Sequence, residues 1–191
     1  MTHISIIGTG LMGQAIAGVV AKGGTTVELF DTRDTTKQVS GDIVVLAVPY
    51  PAVAEILTQR SDQFAGKVVV DITNPLNFET FDSLTVPADS SATAEIAAAL
   101  PQSRILKAFN TTFAGTLAAG TVGTVPTTVL IAGDDADAKS LLAGVVTAGG
   151  LRAIDAGSLA RARELEAVGF LQLTLAASEK VSWTGGFAVI P

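Results

Sequence analysis

The sequence predicts an α/β fold: a single domain with a doubly wound, mostly parallel sheet and a long C-terminal helix. Three observations predict it. An alternating apolar run ending at Ile7 is followed by Gly8, Gly10 and Gly13 in G-x-G-x-x-G spacing, and Gln14 to Ala17 continue with helical periodicity. That is the strand, tight turn and helix of a phosphate-cradling unit. The runs Asp42 to Val48 and Lys67 to Asp71 have apolar centres without alternation, as strands buried on both faces of a parallel sheet read. Helical and strand-like segments then alternate to the C-terminus, which builds a sheet covered by helices on both sides.

Lys22-Gly23-Gly24 stops the first helix, and Thr25 to Phe30 is the second strand, within one βαβ length of the first. A parallel crossover normally takes a dozen or more residues, so the short segment Thr32 to Gly41 carries a single turn of helix or none. Pro49 ends the third strand. Pro51 to Arg60 is a helix with Val53, Ile56 and Leu57 on one side, and the fourth strand, Lys67 to Asp71, leads into the loop Ile72 to Asn77. The irregular stretch Phe78 to Ser90 is a long loop of the kind that often carries function. Ser91 or Thr93 caps a helix from Ala94 to Leu100. Arg104 to Phe109 is the fifth strand, with Asn110 to Phe113 as the loop at its end. A sixth strand at Thr127 to Ala132, a helix at Ala136 to Thr147 and a seventh strand at Leu151 to Ile154 follow. A long amphipathic helix runs from Ser158 to about Lys180, before the apolar, glycine-containing tail Trp183 to Ile190. The nucleotide-binding part spans about 1–110, and the C-terminal strands and helix about 111–191.

Composition narrows the function. With 48% hydrophobic and 16% charged residues the chain is not disordered. No apolar run reaches the roughly 18 residues of a membrane span, and the chain enters a strand at once without an export signal, so no membrane partner and a cytoplasmic location are expected. The absence of cysteine excludes thiol catalysis and iron–sulfur ligation, and one histidine cannot build an ordinary zinc site, so no metal is expected. A net charge of −6 argues against nucleic acid. The long helix and apolar tail offer a self-association surface, from which a homodimer is expected.

Ligands of such sheets bind beyond the carboxyl ends of the strands, where strand order reverses. That selects the loops Gly8 to Gly13, Asp31 to Arg33, Val48 to Pro51, Thr73 to Asn77 and Asn110 to Phe113. In a dinucleotide-binding turn, Gly8 permits the sharp exit from the strand, Gly10 lets backbone approach a pyrophosphate, and Gly13 lets the helix pack on the sheet, with free N–H groups meeting the phosphate. At the end of the second strand Asp31 suits the ribose hydroxyls of NAD, whereas Thr32 and Arg33 suit the 2′-phosphate of NADP; the charge argument favours NADP and leaves NAD open. Acid–base groups are few, and no catalytic residue is identified. His3 stands at the wrong end of the sheet. Lys107 either reaches the crevice or snorkels to water. Asn74 and Asn110 can hydrogen-bond a nicotinamide carboxamide or a substrate, although asparagine is also ordinary turn chemistry. Arg161 with Leu165 and Arg163 with Glu166 stand at helical neighbour spacing, read as a solvated helix surface with ion pairing. Hydride transfer needs mainly two rings held face to face in a dry pocket, whereas carbonyl reduction needs a proton donor.

Five motifs carry a resemblance: Gly8-Thr9-Gly10-Leu11-Met12-Gly13, Ala47-Val48-Pro49, Asp71-Ile72-Thr73-Asn74-Pro75, Lys107-Ala108-Phe109-Asn110-Thr111, and the run from Asp155 to Glu166. Together they resemble the NADPH-dependent reductases of the deazaflavin coenzyme F420 and are similar to the cytoplasmic domain of six-transmembrane ferric reductases. The resemblance implies a compact Rossmann-type domain that binds NADP(H) and exchanges hydride with a flavin or coenzyme F420. It implies that Thr9 and the amides of Gly10, Leu11, Met12 and Gly13 hold the pyrophosphate, and that Thr32 and Arg33 hold the 2′-phosphate. Ala47, Val48, Pro49, Asn74, Pro75, Ala108 and Asn110 would surround the cofactor's other end, and Trp183 to Val189 would lie near the acceptor ring. Asp31 departs from the neutral residue usual in NADP-using members. Two other readings stand beside this one. The first part of the chain is also similar to pyrroline-carboxylate reductases, which suggests a reductase of a small imine or carbonyl, although those enzymes need a further helical domain. A non-catalytic NADP-binding sensor or partner subunit is the third.

Overall fold

The structure, a computed structural model, describes residues 2–33 and 36–190. Its framework is a seven-stranded sheet of β1 (His3–Ile7), β2 (Thr26–Phe30), β3 (Ile43–Leu46), β4 (Val68–Asp71), β5 (Arg104–Lys107), β8 (Thr128–Gly133) and β9 (Arg152–Gly157), in the order β2-β1-β3-β4-β5-β8-β9. Pairings are parallel except β5 with β8. The chain steps from β1 outward to β2 and then back past β1 to β3, so the strand order reverses there. The crevice lies beyond Ile7 and Leu46, which are register partners.

Both faces of the central strands are covered, which is why their sequences are apolar without alternation. On one face Ile4, Ile6, Ile43, Val45, Val68 and Val70 pack with Ile16, Val19 and Val20 of α1 (Leu11–Lys22) and Leu142, Val145 and Val146 of α5 (Ala136–Ala148). On the other, Ile7, Val44, Leu46 and Val69 pack with Val53 and Ile56 of α2 (Tyr50–Arg60) and Ile96 of α3 (Ala92–Ala99). Among the described residues no helix lies between β2 and β3, as the short crossover requires.

The structure corrects several boundaries. Residues 114–126, where the sequence suggested no element, form α4 (Ala114–Ala119) and a small hairpin, β6 (Thr121–Val122) with β7 (Val125–Pro126). Six residues are too few to show a helical period, and Gly120 ends α4 at φ +76°, a left-handed conformation that glycine adopts without a Cβ clash. α3 starts at Ala92 because Ser91 is its cap, its Oγ accepting the Ala94 N–H at 3.0 Å. Thr93 therefore lies inside the first turn. β9 runs on to Gly157. The C-terminal helix opens as a 3-10 turn at Leu159–Arg161 and continues as α6 (Ala162–Ala177), shorter than its amphipathic pattern suggested.

Candidate functional site

The first βα turn is built by backbone contact. Gly8 has φ +119°, and a Cβ there would collide with the carbonyl oxygen of Ala47, while a Cβ on Gly13 would collide with the carbonyl of Gly8. Around Gly10 a Cβ would meet nothing within 4 Å. Two glycines thus lock the turn against β3, and the third leaves its outer side open. The Gly8 N–H donates to the Phe30 carbonyl at 2.9 Å and the Ala47 N–H to the Ile7 carbonyl at 2.8 Å, joining three strand ends. α1 begins with no carboxylate in its first turn and no side-chain cap, so its leading N–H groups and the positive end of its dipole face outward. Thr9, Gly10 and Leu11 are exposed, Met12 and Ala47 half-buried, Val48 buried and Pro49 exposed.

At the end of β2, Asp31 and Arg33 hold each other. Arg33 Nε donates to Asp31 Oδ1 at 3.0 Å, Nη2 to Oδ2 at 2.8 Å, and the Arg33 N–H to Oδ1 at 2.9 Å. The Arg33 side chain, through its hydrogen bonds first, and its backbone N–H hold the Asp31 carboxyl far below the usual carboxylate range. The two side chains are thus paired with each other, with Arg33 89% exposed. Thr32 is exposed beside them.

At the ends of β4 and β5 the structure overturns two expectations. Lys107 does not snorkel to water: its side chain is fully buried and its ammonium donates to Asp71 Oδ2 at 2.8 Å, Glu166 Oε1 at 2.9 Å and the Thr73 carbonyl at 2.6 Å. Glu166 is not a surface partner of Arg163. It is buried on the inner side of α6, and both Arg161 and Arg163 pair with Glu164 instead. A signal for this group was present in the sequence: Asp71 and Lys107 each close an apolar strand with a charge of opposite sign, and in the sheet they are register partners.

Asn74 and Asn110 meet just beyond. Asn110 Nδ2 donates to Asn74 Oδ1 at 2.9 Å and to the Leu165 carbonyl at 2.8 Å, and Asn74 Nδ2 donates to the Asn110 carbonyl at 3.0 Å. Gly169 of α6 lies so close that a Cβ would overlap Asn74 Oδ1 and stand 3.0 Å from Asn110 Nδ2. Phe109 turns the chain at φ +63°, a costly conformation for a bulky residue that surrounding contacts impose, and this brings Asn110 round to α6. Asn110 Oδ1 and Thr73 Oγ1 are buried and have no hydrogen-bond partner. Asn74 and Asn110 form part of a cavity of about 280 Å³ lined also by Leu11, Met12, Ile72, Thr112, Phe113, Ala114, Leu173 and Trp183. Trp183 packs on Phe113 with ring centroids 5.0 Å apart. Gln172 straps the tail, donating to the Thr111 carbonyl and accepting the Phe187 N–H. His3 stays at the far end of the sheet, 3.2 Å from Ser40 Oγ.

The structure therefore brings together the glycine turn, Ala47 to Pro49, Asn74 and Asn110. Pro75, next to Asn74, and Ala108, two residues before Asn110, are buried and do not line the cavity. Gly169, Gln172 and the ionic group at Lys107 were not read from the sequence as parts of the site.

Two family profiles match the chain: "NADP oxidoreductase coenzyme F420-dependent" over residues 31–75, and "3-hydroxyacyl-CoA dehydrogenase, NAD binding domain" over residues 3–44. The F420-dependent NADP reductase of Methanocaldococcus jannaschii is 30% identical over 159 residues, 81% of this chain and 70% of that protein. This chain belongs to the F420-dependent NADP reductase family. The metalloreductase STEAP3 of Rattus norvegicus is 37% identical over 112 residues, which are 59% of this chain but 22% of that protein. A solved structure from Arthrobacter sp. FB24, provisionally named an F420-dependent NADP reductase, superposes with TM-score 0.86 over 100% of both chains at 23% identity, a likeness that establishes the shared fold. As a member of the F420-dependent NADP reductase family the chain is an NADP-dependent oxidoreductase. Its residues suit the dinucleotide in three places: the open cradle at Gly10, the uncapped start of α1, and the unpartnered Asn110 Oδ1 beside an apolar cavity.

Proposed function

We propose that this chain moves hydride between NADP(H) and the ring of a flavin or deazaflavin, coenzyme F420 being the acceptor that the Methanocaldococcus relative's name specifies. The lining of the 280 Å³ cavity carries the reading: each residue there is apolar or an uncharged hydrogen-bonding group. Such a pocket holds flat rings and keeps water out, which is what hydride transfer requires. When bound, NADPH supplies hydride from C4 of its nicotinamide ring. The chain's own part is to hold and orient. In this reading Thr9 and the amides of Gly10 to Gly13 hold the pyrophosphate at the head of α1. Ala47, Val48 and Pro49 wall the cofactor, Asn74 and Asn110 hydrogen-bond the carboxamide, and the buried Pro75 and Ala108 back the two strand ends that carry them. Phe113 and Trp183 form the wall for the second ring. Thr32 and Arg33 take the 2′-phosphate, which must compete with Asp31 for the guanidinium, so NADPH is preferred while NADH retains access through Asp31.

Reduction of a small imine or carbonyl needs a proton donor in reach of the ring, and the cavity lining supplies none. A non-catalytic NADP-binding role would give tight binding with no turnover. We place the work of the chain in the cytoplasm; among the described residues no helix is long and apolar enough to cross a membrane. We also infer a homodimer through α6, where Val168 and Leu171 are 37% and 51% exposed three residues apart and Phe187 of the strapped tail is 44% exposed; a monomer by light scattering at micromolar concentration refutes it.

Titration with NADPH and NADH, followed by Trp183 and nicotinamide emission, tests the reading. Tighter binding of NADPH and its oxidation on adding coenzyme F420 or a free flavin are expected. Failure to bind either nucleotide would refute the oxidoreductase reading, and turnover confined to imines would favour the second.

A further inference from the structure

Asp71, Lys107 and Glu166 do not line the cavity, and all three side chains are 0–1% exposed. Their hydrogen bonds are complete. Asp71 Oδ1 accepts the Thr73 N–H at 2.8 Å, Glu166 Oε2 accepts the Ala92 N–H at 3.0 Å, and the Thr93 hydroxyl donates to Asp71 Oδ2 at 2.7 Å. Four segments are thereby tied at one point: the ends of β4 and β5, the start of α3, and α6. A buried ionic group of this kind adds little net stability, because desolvation offsets the attraction, and an apolar set of similar volume serves as well. Its distinguishing property is direction, since each bond fixes where a particular chain segment lies.

The same segments meet again one layer further out. Asn74 follows Asp71 by three residues, and Asn110 follows Lys107 by three. The carbonyl that receives Asn110 Nδ2 belongs to Leu165, the neighbour of Glu166, and Gly169, three residues past Glu166, packs on both amides. An ionic layer thus underlies an amide layer, strand end for strand end and helix turn for helix turn. Glu166 also reads α3 through Ala92 and Thr93, so the placement of α6 over the asparagines depends on it.

We propose that Asp71, Lys107 and Glu166 are positioning residues for the nicotinamide half of the site. They set the register of β4, β5 and α6 so that the paired Asn74 and Asn110 keep their place in the cavity wall. The phosphate end, built from backbone contacts at Gly8 and Gly13, is independent of them. The inference rests on the hydride-transfer reading above.

The test uses the full chain and three variants. Glu166→Gln keeps the shape and leaves Asp71 and Lys107 as a balanced pair, but its amide must turn an N–H toward either Lys107 or the Ala92 N–H. Thr93→Val removes one hydroxyl without changing charge, and Thr93→Ser restores it. Affinities for NADPH and for adenosine 2′,5′-bisphosphate, which lacks the nicotinamide, are measured together with the emission of bound nicotinamide. In both altered variants NADPH should weaken about tenfold, and bound nicotinamide emission should fall toward that of free NADPH. Adenosine 2′,5′-bisphosphate should bind within about twofold of the native value, and Thr93→Ser should behave as native. Native-like NADPH affinity and emission in a folded variant overturn the inference, as does equal weakening of both ligands. If Glu166→Gln does not fold, Thr93→Val decides the matter alone. A native chain that binds adenosine 2′,5′-bisphosphate but not NADPH, or binds neither, overturns the hydride-transfer reading and this inference with it.

Discussion

Replacing Lys107 by Met tests whether charge balance holds the buried group together. In the native chain one ammonium faces two carboxylates, with side-chain exposures of 0–1%. Methionine fills much of the lysine stem's space but leaves Asp71 and Glu166 facing each other with no cation, and it strips the Thr73 carbonyl of its donor. Removing one partner of a buried ionic group costs about 3–5 kcal/mol, because the remaining charge has neither water nor a counter-ion. Glu166→Gln instead leaves one ammonium with one carboxylate, and its cost is confined to one reversed hydrogen bond, about 1–2 kcal/mol. For a chain of this size about 1 kcal/mol moves the melting midpoint by about 2–4 °C. Lys107→Met should therefore melt roughly 6–20 °C below the native chain, and Glu166→Gln roughly 2–8 °C below it. Thermal and urea unfolding, followed by circular dichroism and Trp183 emission, measures both, and the difference should persist in high salt because buried charges are poorly screened. Equal losses in the two variants, or a Lys107→Met loss below about 1 kcal/mol, would refute the charge-balance argument.

Four further outcomes follow from the geometry. Gly169→Ala adds a good helix former to α6, worth up to about 1 kcal/mol. Its methyl nevertheless overlaps Asn74 Oδ1, so we expect a net loss of stability by denaturant titration and weaker NADPH binding with adenosine 2′,5′-bisphosphate unaffected. Arg33→Ala should weaken NADPH by about 10–100-fold with NADH nearly unchanged, the worth of a charged hydrogen bond to the 2′-phosphate. Asp31→Asn should strengthen NADPH and weaken NADH, since it frees the guanidinium and removes the ribose acceptor; fluorescence titration at low salt checks both. Glu28 governs an acid limb of stability. Its partial burial raises the carboxyl, but hydrogen bonds from Ser5, Ser40 and Lys37 outweigh that and hold it below the ordinary 4.5. A depressed carboxyl stabilises fully above its unfolded value and loses that contribution as pH falls through the lower folded value. Glu28→Gln should lower stability at neutral pH and flatten the loss below about pH 4.5; an unchanged acid profile would count against it.

What was legible in the sequence was local. Gly8, Gly10 and Gly13 stand within six residues at the head of one βα unit, so their spacing is readable even though Gly8 answers to Ala47, Gly13 to Gly8 and Gly10 to open space. That no helix lies between β2 and β3 among the described residues agrees with the shortness of that crossover, which is readable from chain length alone. The ionic group was not: its bonds join residues 36 and 59 positions apart, and a lone lysine at a strand end has the same appearance whether it points to water or to Glu166. α4 failed for another reason, since Ala114 to Ala119 is too short to display a period. The pairing of Asp31 with Arg33 was hidden by its very closeness, because two charges two residues apart are compatible with opposite orientations.

The two ends of the site are consequently built in different ways, and this bears on how the acceptor is chosen. At the proposed phosphate end the chain offers backbone amides at the head of α1 and a turn locked by glycine packing against Ala47. At the ring end, Asn74 and Asn110 are placed by Gly169 and the Leu165 carbonyl, and the outer wall is Phe113 with Trp183, carried by a tail that Gln172 holds. Every one of these supports beyond Asn74 lies C-terminal to residue 107. An exchange of the segment after β5 between two such reductases should therefore carry acceptor preference with it and leave the choice between NADPH and NADH at Asp31 and Arg33 behind.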